Sequence, residues 1–291
     1  MIIGHKRQQE RLKALFKKDK IPHAFLFSGP ESVGKRKVVF WFLKMINCEK
    51  ERLSASCNCS SCCEIERSLH TDITEISSLK KEIQLEQIEE VIEKSYYKSA
   101  KARFKGIVIN DAHLMNLYAQ NSLLKVLEEP PEKTIIFLIT SFKRILFSTV
   151  VSRAFEMKFS IVPKKEIEEK IEDREAVKLS LGRPGLAINY LNFPEKKREA
   201  EKIKKRIEKM VESELFFKFS EIKSFIEEDN LDIFLNLFLD FAKERMVKNL
   251  KAGKGTKKNR EVIAKTEEVI YLLSKTNINK QIALEDIMLK I

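Results

Sequence analysis

Eight consecutive residues, Gly29-Pro30-Glu31-Ser32-Val33-Gly34-Lys35-Arg36, restrict the fold more than any other part of the chain. A glycine, four residues, a second glycine and a lysine form the spacing of a phosphate-binding loop, which ordinarily continues with serine or threonine. Glycines let the backbone turn several N–H groups inward on a phosphate. The lysine adds a point charge, and the hydroxyl after it holds magnesium. Arg36 takes the hydroxyl position here, and a fixed cation does not ligate a metal. The flanks suit such a loop: Ala24-Phe25-Leu26-Phe27 is a short apolar strand, and Val38 to Met45 is apolar all round, as in a helix buried against a sheet. Gly29, Gly34 and Lys35 are therefore expected to form a phosphate cradle that is inherited but impaired. The plainer alternative is a glycine turn with no ligand.

The rest of the first half repeats the strand-and-helix alternation of an open, mostly parallel α/β sheet. Ile73 to Ile76 reads as a strand, and Ile83 to Tyr97 as a helix with Leu85, Ile88, Val91 and Ile92 on one face. Gly106 to Ile109 is a continuous apolar run, the pattern of a strand covered on both faces. It ends in Asn110-Asp111, where a nucleotide hydrolase of this kind carries an acid for magnesium and a neighbouring glutamate for the attacking water. Asn110 is a poor metal ligand and Asp111 is one methylene shorter than glutamate. Both metal-holding positions are thus altered together, and no magnesium is expected. Thr134 to Ile139 is a further strand. Thr140 after it joins Gly29, Gly34, Lys35, Arg36, Asn110 and Asp111 as a candidate nucleotide contact, with ATP or ADP binding left open. Asn116 is placed to cap a helix that stops at Pro130-Pro131.

All five cysteines lie between Cys48 and Cys63, in a segment that interrupts the α/β pattern like an insertion on a loop. In a reducing compartment such a cluster reads as metal binding. Cys48, Cys57, Cys59 and Cys62 suit tetrahedral structural zinc, against the alternative of buried, unmetallated thiols. The N-terminus has no secretory pattern and no apolar run reaches a membrane span, so a soluble, cytoplasmic protein without membrane association is expected. The formal net charge of +12 favours a polyanionic partner such as nucleic acid, unless it reflects only a solvated Lys- and Glu-rich surface. From Pro163 onward the pattern is helical. The stretch Lys164 to Leu191 contains Gly182-Arg183-Pro184-Gly185, a highly charged helix covers Glu195 to Glu214, and Leu215 to Leu250 predicts a packed bundle. Lys251 to Arg260 is basic and glycine-containing and reads as a mobile loop of solvated charge or as a nucleic-acid contact, and a final helix pair runs to Ile291.

Several runs together resemble the delta-prime subunits of bacterial DNA polymerase III clamp loaders, with the tau/gamma subunits as near relatives. They are His23-Ala24-Phe25-Leu26, the cysteine cluster, His70-Thr71-Asp72, the run from Asn121 to Pro131, Ser152-Arg153, and Asn277-Ile278-Asn279 followed by Leu284-Glu285. The chain departs from the family pattern in three places. Ala154 replaces the cysteine of a Ser-Arg-Cys signature, Cys57 falls one residue late, and the segment Lys164 to Leu191 is shorter than the family's lid. The resemblance implies an AAA+ fold: an α/β phosphate-loop domain over 1–160 with the cysteine insertion at 48–63, a helical lid over 161–205 and a helical collar over 206–291. It also implies a clamp-loader subunit with no ATPase of its own. Such a subunit works with tau/gamma and delta subunits, the sliding clamp and primed DNA, and lends Arg153 as an arginine finger to a neighbour's ATP site. An ordinary surface salt bridge is the simpler role for Arg153, and an active tau/gamma-like ATPase is the alternative for the whole chain.

Overall fold

A computed structural model describes residues 1–50, 57–78, 82–228, 230–275 and 278–291. Residues 51–56 of the cysteine insertion and Asn277 of the C-terminal motif lie outside the described residues. The chain divides into two compact units, Met1–Glu172 with Gly182–Leu186, and Asp173–Leu181 with Ala187–Ile291.

The first unit contains α1 (Lys6–Lys17), β1 (Ala24–Ser28), α2 (Lys35–Ile46), α3 (Ser60–Glu66), β2 (Ile73–Ile76) and α4 (Leu85–Tyr96). It continues with β3 (Lys105–Ile109), α5 (Leu117–Glu128), β4 (Thr134–Thr140), α6 (Ser148–Arg153), β5 (Phe155–Lys158) and α7 (Lys164–Glu168). The strands form one sheet in the order β2-β3-β4-β1-β5, parallel throughout. Alternate side chains on each strand feed two cores. Leu26, Ile107, Ile109, Ile136 and Leu138 pack on α4, α5 and α6. Phe25, Phe27, Val108, Phe137 and Ile139 pack on α1, α2 and α3. Phe25 and Phe137 stack at 5.3 Å, so the sheet centre is filled by rigid rings as well as branched aliphatics. Burial on both faces explains why these strands read as unbroken apolar runs. As the sequence suggests, Asn116 caps α5 by accepting from the Ala119 N–H at 2.8 Å, and α5 ends at Glu128, just before the prolines.

The second unit is helical. It contains α8 (Arg174–Leu179), most of α9 (Pro184–Asn192), α10 (Pro194–Glu212), α11 (Leu215–Glu227), α12 (Leu231–Lys251), α13 (Lys257–Lys275) and α14 (Lys280–Met288). The charged α10 is ordered by a buried stripe of Ala200, Ile203, Ile207 and Met210 at helical spacing. Phe225, Phe234 and Phe238 stack in series at 4.5 and 5.6 Å. An α/β fold with a parallel sheet and a helical remainder is therefore found as expected. Two local readings need correction. Helix α12 extends through Lys251 and α13 begins at Lys257, so the expected loop from Lys251 to Arg260 shrinks to the residues between. The cysteine insertion is not all loop, because α3 carries Cys62 and Cys63.

Candidate nucleotide site and cysteine centre

The phosphate-type loop sits between β1 and α2, at the C-terminal edge of the sheet where α/β proteins bind their ligands. Gly29 has φ 144°, and a Cβ there would stand 2.1 Å from the Phe159 carbonyl oxygen. Gly34 adopts φ 107° at the start of α2, a left-handed conformation that only glycine takes without strain. The Gly29 N–H donates to the Thr140 carbonyl at 3.2 Å, which ties the loop to β4.

Lys35 is turned into its own loop. Its ammonium donates to the carbonyls of Gly29 at 2.5 Å and Pro30 at 2.6 Å, and to Ser141 Oγ at 3.4 Å. Burial pushes this amine down to about 8, against the opposing pull of Glu31 and Asp111. Arg36 points to β2, where its Nε and Nη2 donate to the two carboxylate oxygens of Glu75 at 2.5 Å each and its guanidinium stacks over Phe40. The paired hydrogen bonds to Glu75 hold its pKa above the ordinary arginine value. The position that would hold a metal hydroxyl therefore carries a fork-to-fork ion pair.

Asn110 donates to Asp111 Oδ2 at 3.2 Å, and Asp111 has a left-handed backbone, φ 49°. The Thr140 hydroxyl is fully buried. It accepts from the Phe142 N–H at 3.1 Å and lies 3.4 Å from His113 Nδ1, whose pKa burial lowers. Thr140 thus faces protein on its side chain and the loop on its carbonyl.

Two further contacts buttress the loop, and neither figures among the nucleotide residues expected from the sequence. His5 Nε2 meets the Val33 carbonyl at 2.9 Å, with its ring edge-on to Phe159 at 4.9 Å. The Gly185 N–H donates to the Ser32 carbonyl at 2.7 Å, and a Cβ on Gly185 would come within 2.7 Å of that same oxygen. The signal for the second contact was the Gly182-Arg183-Pro184-Gly185 run, a turn rich enough in glycine to approach another backbone closely.

A separate cluster joins Cys48, Cys57, Cys59 and Cys62, all buried, with their sulfurs within 4.8 Å of one another. Zinc bonded to four thiolates at about 2.3 Å sets the sulfurs about 3.8 Å apart, so the donor set and spacing fit a closed structural site. At Cys59 burial raises the thiol, but backbone donors at Cys62 and Glu49 and the thiols of Cys62 and Cys57 bring it to about 7. Burial pushes Cys62 upward. Cys63 is half-buried and lies outside the group. Cys57, one residue late against the family pattern, is nonetheless brought in.

Arg153 stands apart from both groups, as the last residue of α6 and just before the edge strand β5. Its Nη2 donates to Glu128 Oε1 at 2.6 Å and its Nη1 to the Thr149 carbonyl at 3.1 Å.

Residues 4–163 match the family described as DNA polymerase III, delta subunit. The chain is 34% identical over 167 residues to the DNA polymerase III subunit gamma of Buchnera aphidicola subsp. Schizaphis graminum, a match covering 57% of this chain and 46% of that one. It is 32% identical over 154 residues to the DNA polymerase III subunit tau of Escherichia coli K12, covering 53% of this chain and 24% of the relative. The chain thus matches less than half the length of either relative. A solved structure of a DNA polymerase III gamma subunit-related protein from Thermotoga maritima superposes with a TM-score of 0.48 at 20% identity, covering 97% of each chain.

Proposed function

Because the chain belongs to the DNA polymerase III delta subunit family, we propose that it is a clamp-loader subunit of the delta-prime kind, one that does not hydrolyse ATP itself. The observation that carries this reading is the Arg36–Glu75 pair. Magnesium needs hard oxygen ligands, and the loop offers it a guanidinium already committed to a carboxylate, with an amide, Asn110, at the end of β3. Arg153 then works for a neighbour. Phosphoryl transfer spreads negative charge over the γ-phosphate oxygens, and an arginine delivered from outside stabilises it. Its planar fork of donors suits that task.

The proposal extends to partners and parts. Tau/gamma and delta subunits, the sliding clamp and, through the complex, primed DNA are the expected partners. The chain is read as a phosphate-loop domain over 1–160, a lid over 161–205 and an oligomerising collar over 206–291, acting in the cytoplasm. Among the described residues no helix is long and apolar enough to cross a membrane. Zinc held by Cys48, Cys57, Cys59 and Cys62 would cross-link the insertion to the end of α2, a structural and not a catalytic role.

The second reading, an active ATPase, is favoured by the similarity to gamma and tau subunits. One experiment separates the two: magnesium-dependent ATP hydrolysis measured on the purified chain and on its complex with tau/gamma. Hydrolysis confined to the complex supports the proposal; turnover by the chain alone overturns it.

A further inference from the structure

The helical unit contains a cavity of about 210 Å³ that takes no part in the nucleotide site or the cysteine centre described above. Phe238 and Val262 are buried and form its floor with the half-buried Phe241, while the exposed Arg245, Lys258 and Lys290 form its mouth. No aspartate or glutamate side chain lines it among the described residues. Lys218 of α11, itself only 7% exposed, stands near enough to Lys258 and Arg245 for their charges to add to burial in holding its pKa down.

The size of the cavity narrows the choice of ligand. It falls below the roughly 300–1,000 Å³ of cofactor and drug-sized sites, which suits one large side chain. Single-stranded nucleic acid stacks its bases on exposed aromatic faces, whereas Phe238 is buried and Phe241 half-buried. An apolar floor under a mouth that carries Arg245, Lys258 and Lys290 beside the amides of Asn249 and Asn259 is complementary to an apolar anchor flanked by carboxylates, the pattern of a pocketed hot spot with a polar rim.

We propose that this cavity docks an acidic linear peptide segment of a partner protein, which inserts one large apolar side chain against Phe238, Phe241 and Val262 and presents carboxylates to Arg245, Lys258 and Lys290.

The test uses the full chain and a fluorescein-labelled octapeptide, Gly-Glu-Asp-Glu-Phe-Glu-Asp-Gly, read by fluorescence anisotropy. Saturable one-to-one binding is expected. It should weaken about tenfold or more when the peptide phenylalanine becomes alanine, and by a similar factor in Arg245→Glu or Lys258→Glu. Both positions are exposed, and an unchanged thermal melt checks that each variant is folded. Val262→Ala, which removes floor without adding charge, should weaken the phenylalanine peptide and leave the alanine peptide unaffected. Absence of binding would overturn the proposal, as would equal affinity for the phenylalanine and alanine peptides. Tighter binding of an oligothymidylate of equal charge, lost in the same variants, would overturn it in favour of nucleic acid.

Discussion

Arg153 and Glu128 hold each other at 2.6 Å across the gap between the C-terminal ends of α6 and α5. Their side chains are 35% and 54% exposed, and pairs that wet contribute only about 0–1 kcal/mol to stability. The pair therefore costs little to open, and the arginine's fork suits a phosphate as well as a carboxylate. Under the finger role proposed above, Arg153→Ala should fold and assemble normally while the neighbouring ATP site loses about 10³-fold or more in rate, so that the ATPase of the complex falls by that site's whole share. Arg153→Lys should recover little, since an ammonium lacks the fork. Steady-state ATPase of the reconstituted complex, with assembly followed by size-exclusion chromatography, reads this directly. A variant complex with wild-type rate would remove the finger role.

Lys35 provides a control in the opposite sense. Its ammonium serves the carbonyls of its own loop, and burial has brought its pKa down to about 8. A lysine whose folded value lies below its unfolded one binds fewer protons when folded. It therefore disfavours the native state most fully below about pH 8, and that penalty lifts as pH rises toward the unfolded value. Lys35→Met should accordingly show a smaller gain in stability between pH 8 and 10 than the parent protein, measured by urea denaturation. In a subunit that does not hydrolyse ATP, the same substitution should change the ATPase of the complex by less than about twofold; in an active ATPase it would abolish turnover by the chain.

Much of the site could be read from residue types alone. The strand-loop-helix unit was legible because Gly29, Gly34 and Lys35 sit between two apolar runs, and the centre of the sheet was legible because β1, β3 and β4, covered on both faces, are largely apolar. What local pattern could not show was where the side chains point. Arg36 is visible in the sequence as a missing hydroxyl, but its engagement with Glu75, a residue 39 positions away, depends on β2 lying at the sheet edge. The His5 and Gly185 contacts with the loop are likewise made by segments distant in sequence. The Lys251 to Arg260 stretch was misjudged because its lysines, good helix formers, were outweighed by two glycines that in fact occupy only the short turn between α12 and α13.

The cysteine centre predicts a contrast within a single segment. Cys48, Cys57, Cys59 and Cys62 converge, whereas Cys63, next in sequence to Cys62, does not. Metal analysis of protein purified without chelator should give about one zinc per chain. Cys62→Ser should release it and lower the melting temperature by at least about 5 °C, because removing a ligand opens a site whose binding energy is folding energy. Cys63→Ser should leave both metal content and melting temperature unchanged. A metal-free wild-type protein with the same melting temperature in chelator would show that the four thiols simply pack.

Asp72 places the last prediction on acid stability. Its carboxylate accepts the backbone N–H groups of Ala100, Lys101 and Ala102 at 2.8, 2.7 and 2.8 Å, pinning the turn that leads into β3. Burial alone would raise its pKa, but these three donors outweigh it and hold the carboxyl below the ordinary aspartate value. A carboxylate with a lowered folded pKa contributes stability that is present above its unfolded pKa and is lost as pH falls through the folded one. Asp72→Ala removes the acceptor and leaves three donors to water, a cost of about 1–3 kcal/mol at neutral pH. That difference should be constant from pH 7 down to about pH 5 and shrink progressively below about pH 4, where the unfolded carboxyl begins to hold its proton. Urea denaturation of the two proteins across that range measures it. A difference that stayed undiminished as the pH fell through the acid range would mean that Asp72 acts through packing and not through its charge.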